Sequence, residues 1–151
     1  MVINRIEDLT IDVTEEIHVG AGLEDTFGAL LEQLGPSNET HDRKPLPMKL
    51  EAWPGGRWYR DFGGNNGHFW GVVQAIKRPT LLEIYGPLAM SAGVSSNLQY
   101  RLKEAHGGTL ITLRHNAFGI VPADFRGGFR QGWEYLMERV CKQAEAGKAK
   151  R

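Results

Sequence analysis

Residues 122–146 read PADFRGGFRQGWEYLMERVCKQAEA. Within this stretch Phe125, Phe129, Trp133, Leu136 and Val140 recur at spacings of three and four, which puts five large apolar side chains on one face of a single C-terminal helix. The sequence upstream of Pro122 reads almost entirely as strands and turns. A sheet must therefore cover the stripe, and a lone long helix gripped by a curved sheet is expected to enclose a cavity. Gly127 and Gly128 leave two readings open, a kink in this helix or a later helix start with Phe125 in the preceding loop. With Gly132 they cost about 1 kcal/mol each relative to alanine in a helix interior. The missing side chains either let a strand approach closely or leave room for a ligand.

Working back from the helix, Leu9, Ile11, Val13, Ile17 and Val19 alternate, broken at Glu15, as a strand with one buried face does. Residues 23–34 switch to helical period, with Phe27, Leu30, Leu31 and Leu34 on one face and Gly35-Pro36 as the stop. Residues 37–47 are polar and proline-bearing, a loop long enough to act as a mobile lid or a rim. Six further strands are expected over residues 48–53, 57–62, 68–76, 81–85, 95–103 and 109–119. Their punctuation is explicit: Pro54-Gly55-Gly56, Gly63-Gly64-Asn65-Asn66-Gly67, Arg78-Pro79, Gly86-Pro87 and His106-Gly107-Gly108. Strands joined by such short turns pair antiparallel. The fold class is α+β: a curved antiparallel sheet of about seven strands wrapped around the C-terminal helix, with a short helix after strand one.

With 151 residues, 41% of them hydrophobic, the chain is one domain over 1–151, with 147–151 a frayed basic tail containing Lys148, Lys150 and Arg151. Lys plus Arg equals Asp plus Glu at 18 each, so the net charge is zero and gives no electrostatic footprint for nucleic acid or an anionic membrane. No run approaches the ~20 apolar residues of a membrane span. Residues 1–10 lack the apolar core of a secretory signal, and Cys141 is the sole cysteine, so a reducing cytoplasm is expected. Cys141, beside Val140 on the final helix, reads as a structural thiol.

Four local patterns carry a family resemblance. They are Pro54-Gly55-Gly56-Arg57-Trp58; Gly71-Val72-Val73-Gln74-Ala75-Ile76 running into Pro79 and Leu81-Leu82; Gly108-Thr109-Leu110 through His115 to Phe118; and Gly132-Trp133 followed by Leu136 and Val140. In that order the chain resembles the START-like, or SRPBCC, superfamily with its Bet v-like helix-grip fold. Within it, the patterns look like the branch named after the C-terminal domain of the activator of heat shock protein 90 ATPase. The chain departs from that branch between Leu23 and Leu50, where tryptophans are often found and this sequence has Phe27 and a polar run. The resemblance implies a helix-grip fold and the binding of hydrophobic molecules between sheet and long helix; it implies no reaction.

The residues themselves exclude several chemistries. The five histidines, His18, His41, His68, His106 and His115, sit in separate elements without local chelating spacing, so no metal is expected. No Gly-x-Ser-x-Gly elbow, P-loop or dinucleotide fingerprint occurs, and no cofactor is expected. His115 alternates with Ile111, Leu113 and Ala117, which directs its imidazole inward as either a general base or a core histidine bonded within the protein. Tyr100, with Ser96, Leu98 and Leu102, carries its hydroxyl into a mostly apolar space. Tyr59 shares a face with Arg57 and Asp61, and at least one of Trp58 and Trp70 is expected to line a pocket or contact surface. Trp133 sits mid-stripe in the core; burying such a ring contributes roughly 2 to 3 kcal/mol.

The candidate ligand-binding residues are thus His115, Tyr100, Leu98 and Leu113 from the last strands, Trp70 and Tyr59 from the middle of the sheet, and Phe129 and Trp133 from the helix. The leading reading is a binding module for a small hydrophobic or amphipathic molecule. The alternatives are a cyclase or hydrolase, with His115 moving a proton while Tyr100 or Arg57 stabilises an oxyanion, and a co-chaperone-like domain contacting a chaperone. Homodimerisation through a sheet edge or the outer helix face fits the same architecture.

Overall fold

Two tight turns set the sheet. Gly64 and Asn65 have φ of 60° and 64°, and His106 and Gly107 have 50° and 75°. Left-handed conformation at both central residues is the type I′ turn, whose twist matches that of the flanking strands. Each turn therefore carries its hairpin right up to the loop: Gly63 pairs with Asn66, and Ala105 with Gly108.

The computed structural model describes residues 5–150; residues 1–4, at the start of the segment examined for a secretory signal, and Arg151, the last basic residue of the tail, lie outside the described residues. After a 3-10 turn at Ile6–Leu9 come β1 (Thr10–Val19), α1 (Leu23–Leu34), β2 (Lys49–Leu50), β3 (Arg57–Gly63), β4 (Asn66–Lys77), β5 (Leu81–Gly86), β6 (Val94–Ala105), β7 (Gly108–Gly119), α2 (Ala123–Arg126) and α3 (Phe129–Ala149). The seven strands form one antiparallel sheet in the order β1-β7-β6-β5-β4-β3-β2. Register shifts between Trp58 and Tyr59, Asp61 and Gly63, and Val73 and Ala75 mark bulges in β3 and β4. Such bulges bend and twist a sheet locally.

Two elements differ from the sequence reading. The strand expected over residues 48–53 is only Lys49–Leu50. Beyond it Glu51 accepts from the Arg57 backbone N–H and guanidinium, and the chain turns through Pro54, which has no N–H to give a ladder. The long helix begins at Phe129, so of the two readings of Gly127-Gly128 the later start is the observed one, with Phe125 in the separate four-residue α2.

The core lies between the inner face of the sheet and the two longer helices. β6 contributes Leu98, Tyr100 and Leu102, β7 contributes Ile111 and Leu113, and α3 lays down Trp133, Leu136, Met137, Val140 and Ala144. α1 packs beside α3 and adds Phe27, Leu30 and Leu34. At the other end of α3 the helix and sheet do not close on each other.

Candidate functional site

The gap at that end is a cavity of about 320 Å³, bounded by α2, the first turns of α3, residues 38–46, Leu88-Ala89 and the inner faces of β3 and β4. Its walls are aromatic: Trp58 and Trp70 from the sheet face Phe125, Phe129 and Trp133 from the helical side, with Leu46, Leu88 and Leu136 between them. Gly128, immediately before α3, and Gly132, in its first turns, complete the lining. A Cβ at Gly132 would meet nothing within 4 Å, and one at Gly128 only the Asp124 carbonyl at 3.7 Å. No strand approaches there, so of the two readings of these glycines the geometry matches the one that leaves space.

Each wall residue is fixed by its own contacts. The Trp58 indole donates to the Leu34 carbonyl at 2.8 Å and meets Trp70 edge-on, 5.1 Å between ring centroids. Trp70 donates to His68 Nδ1 at 3.0 Å. Behind Trp70 the backbone is crowded: Gly86, at φ 151°, would place a Cβ 2.5 Å from the Trp70 carbonyl oxygen, so only glycine fits. The Leu88 N–H then donates to that same carbonyl at 2.8 Å, which carries Leu88 into the wall.

Under the floor lies His115, fully buried. The Trp133 indole N–H, which can only donate, points to His115 Nδ1 at 3.1 Å, while Nε2 faces Ser96 Oγ at 3.0 Å. Nδ1 must therefore be the acceptor, and the proton sits on Nε2, donated to Ser96. Phe129 and Trp133 both meet the ring edge-on, at 4.7 and 5.6 Å. Burial pulls the imidazole down from 6.5 to about 4. It is a neutral ring with both nitrogens engaged.

The rim is polar. Residues 37–47, read as a lid or rim, run along it and are tied to the helices by Arg139. That guanidinium donates to Gln33 Oε1 at 2.9 Å and Ser37 O at 3.3 Å and pairs with Glu39 at 2.9 Å. Glu39 also accepts from the Tyr135 hydroxyl. Thr40, His41 and Asp124 stand at the rim as well, and no Lys or Arg is among the described residues that line the cavity.

The candidate residues fall into separate groups. Trp70, Phe129 and Trp133 line the cavity, and His115 touches two of them from below. Leu98, Leu113 and Tyr100 are fully buried in the core beyond the lining. The Tyr100 hydroxyl has no hydrogen-bond partner among the described residues, and burial raises its pKa above the ordinary value. Tyr59 lies elsewhere, under the Arg57 guanidinium at 4.7 Å, in a wider polar depression of about 570 Å³ along the β3–β4 hairpin. That depression has Arg60, Asp61, Phe69 and a turn of glycines among its walls, a mixed polar and apolar surface that lies open to solvent. Leu46, Leu88, Phe125, Leu136 and Asp124 went unselected in the sequence. Leu46 carried a signal, a lone apolar residue between Pro45 and Pro47 in a polar loop. Among the described residues no group of three or more His, Cys, Asp or Glu side chains is arranged to hold a metal.

Residues 29–143 match the family model described as Activator of Hsp90 ATPase homolog 1-like protein. No curated protein matches the chain in sequence. Among solved structures, an uncharacterized protein from Rhizobium leguminosarum superposes with a TM-score of 0.68 at 18% identity, covering 91% of this chain and 95% of that one. The Aha1 dimer from Colwellia psychrerythraea gives 0.64 at 14% identity, covering 91% and 98%. Ara h 8.0201 gives 0.65 at 11% identity, covering 91% and 99%. At these identities the likeness is one of fold, and that fold is the helix grip. No helix among the described residues is long and apolar enough to cross a membrane.

Proposed function

Because the chain belongs to the Activator of Hsp90 ATPase homolog 1-like family, whose model covers residues 29–143, we propose that it is a binding module. It holds a small hydrophobic or amphipathic molecule between the sheet and the first turns of α3. The observation that carries this reading is the bare start of α3, at its N-cap Gly128 and at Gly132, over aromatic walls. Gly132 lies inside α3, where glycine costs about 1 kcal/mol against alanine, and here no neighbouring strand benefits from the missing side chain. A cavity of about 320 Å³ sits at the lower end of the range of ligand pockets. Its occupant is accordingly small: an apolar cavity of about 150 Å³ accommodates benzene, and twice that volume suits two fused or linked rings.

Enzymatic readings draw less from this geometry. A general base needs a nitrogen facing the substrate, and both His115 nitrogens are bonded within the protein. The Tyr100 hydroxyl is not part of the lining.

The test uses the neutral probe N-phenyl-1-naphthylamine, whose fluorescence rises in an apolar site. Gly132→Ala should raise stability by about 1 kcal/mol and preserve binding. Gly132→Leu should fill the cavity and abolish binding in a protein at least as stable as the parent. Absence of binding to the parent chain, or undiminished binding to a folded Gly132→Leu variant, would defeat the proposal.

A further inference from the structure

We infer that the molecule held in this cavity is a lipophilic cation, a two-ring aromatic or similarly sized body bearing an ammonium group that sits at the rim. This rests on the cavity reading above and adds the sign of the ligand's charge. Two features point the same way. Five aromatic rings, Trp58, Trp70, Phe125, Phe129 and Trp133, present π systems to one small space. Aromatic faces carry negative quadrupole density and attract cations, most strongly when the site is desolvated.

The charges at the rim agree with this. Of its two carboxylates, Glu39 is taken up by Arg139 and Tyr135. Asp124 stands exposed at the mouth, and its side chain makes no ion pair or hydrogen bond among the described residues. No Lys or Arg among the described residues lines the cavity, and His41 at the rim is turned to Asp42 at 3.4 Å, so a carboxylate or phosphate head would find no dedicated cation there and would face Asp124. An ammonium head at the mouth would meet that aspartate and the half-buried ring of Phe125 next to it in the chain, while its own ring system lies against the indoles.

The experiment displaces N-phenyl-1-naphthylamine with three naphthalenes of matched size: 1-naphthalenemethylamine, cationic at neutral pH, the neutral 1-naphthalenemethanol, and the anionic 1-naphthaleneacetate. The amine should displace the probe at a concentration at least about tenfold below the acetate, with the alcohol between them. Asp124→Asn should narrow the amine-to-acetate ratio to about threefold or less, with the alcohol shifting less than either ion. An acetate that competes as well as the amine, or a ratio unmoved by Asp124→Asn, overturns the inference while the cavity reading stands. If the probe itself does not bind, the cavity reading fails and the inference fails with it.

Discussion

Acidification should unfold this protein partly through one buried ring, and the size of that effect can be worked from the structure. His115 is neutral in the fold because burial disfavours its charged form, because Trp133 Nε1–H occupies the side of Nδ1 where a second proton would go, and because among the described residues its hydrogen-bond partners are the uncharged Trp133 and Ser96. In the unfolded chain the same imidazole takes up a proton near 6.5; in the fold it resists until about pH 4. A depressed histidine contributes stability that is fully present above pH 6.5 and is lost as pH falls toward 4, because over that interval only the unfolded state binds the proton. At about 1.36 kcal/mol per pH unit, the loss attributable to His115 is on the order of 3 kcal/mol. The measurement is urea denaturation followed by tryptophan fluorescence, repeated between about pH 7 and about pH 4 on the parent and on His115→Gln. Glutamine does not titrate, so carboxylates and the other histidines cancel in the difference. The parent should lose its advantage over the variant as the pH falls. A difference that stays flat with pH, or a His115 ring that titrates near 6.5 by NMR, would refute the reasoning.

Three other substitutions or treatments follow from the same geometry. Tyr100→Phe removes a buried hydroxyl that has no partner among the described residues; it should leave stability unchanged or raise it by about 1 kcal/mol, and a denaturation midpoint lowered substantially would show that the hydroxyl is bonded in solution. Gly86→Ala would drive a Cβ to 2.5 Å from the Trp70 carbonyl at a φ of 151°, so we expect a loss of about 3 kcal/mol, read by thermal or urea unfolding. The Cys141 thiol is pushed up to about 11, first by burial and then by its contact with Glu145. Iodoacetamide should therefore alkylate it at pH 8 far more slowly than free cysteine, and a rate equal to that of the free amino acid would contradict this.

Much of the fold was legible because its signals are local. The helix at Leu23–Leu34 has its apolar face and its Gly35-Pro36 stop in one short window, and the observed helix has those bounds. The hairpins are encoded in the glycines and asparagine that accept positive φ. The strand at residues 48–53 was not legible as a short one, since its shortness comes from the grip of Glu51 on Arg57 across the turn, a pairing that alternation does not report. The inward face of His115 followed from alternation on one strand. Its donor Trp133 did not, because the two meet only when α3 folds back over β7. In the same way the stripe of α3 was readable, whereas the anchoring of the rim by Arg139 joins residues about a hundred positions apart. The glycines of α3 posed the question of space or close approach, and only three dimensions could answer it.

The way Gly128 and Gly132 open the roof of the cavity separates two kinds of information in this chain. Pairing of the strands is written in backbone hydrogen bonds and hairpin turns, none of which involve α3. The interior dimensions on the helical side are written in the side chains that α3 does or does not carry. A change of one residue on that turn alters the size and shape of the cavity without disturbing any strand register. On the proposed binding function, selectivity can therefore be redrawn on the helix, by engineering or by drift, while the sheet beneath it keeps the same architecture.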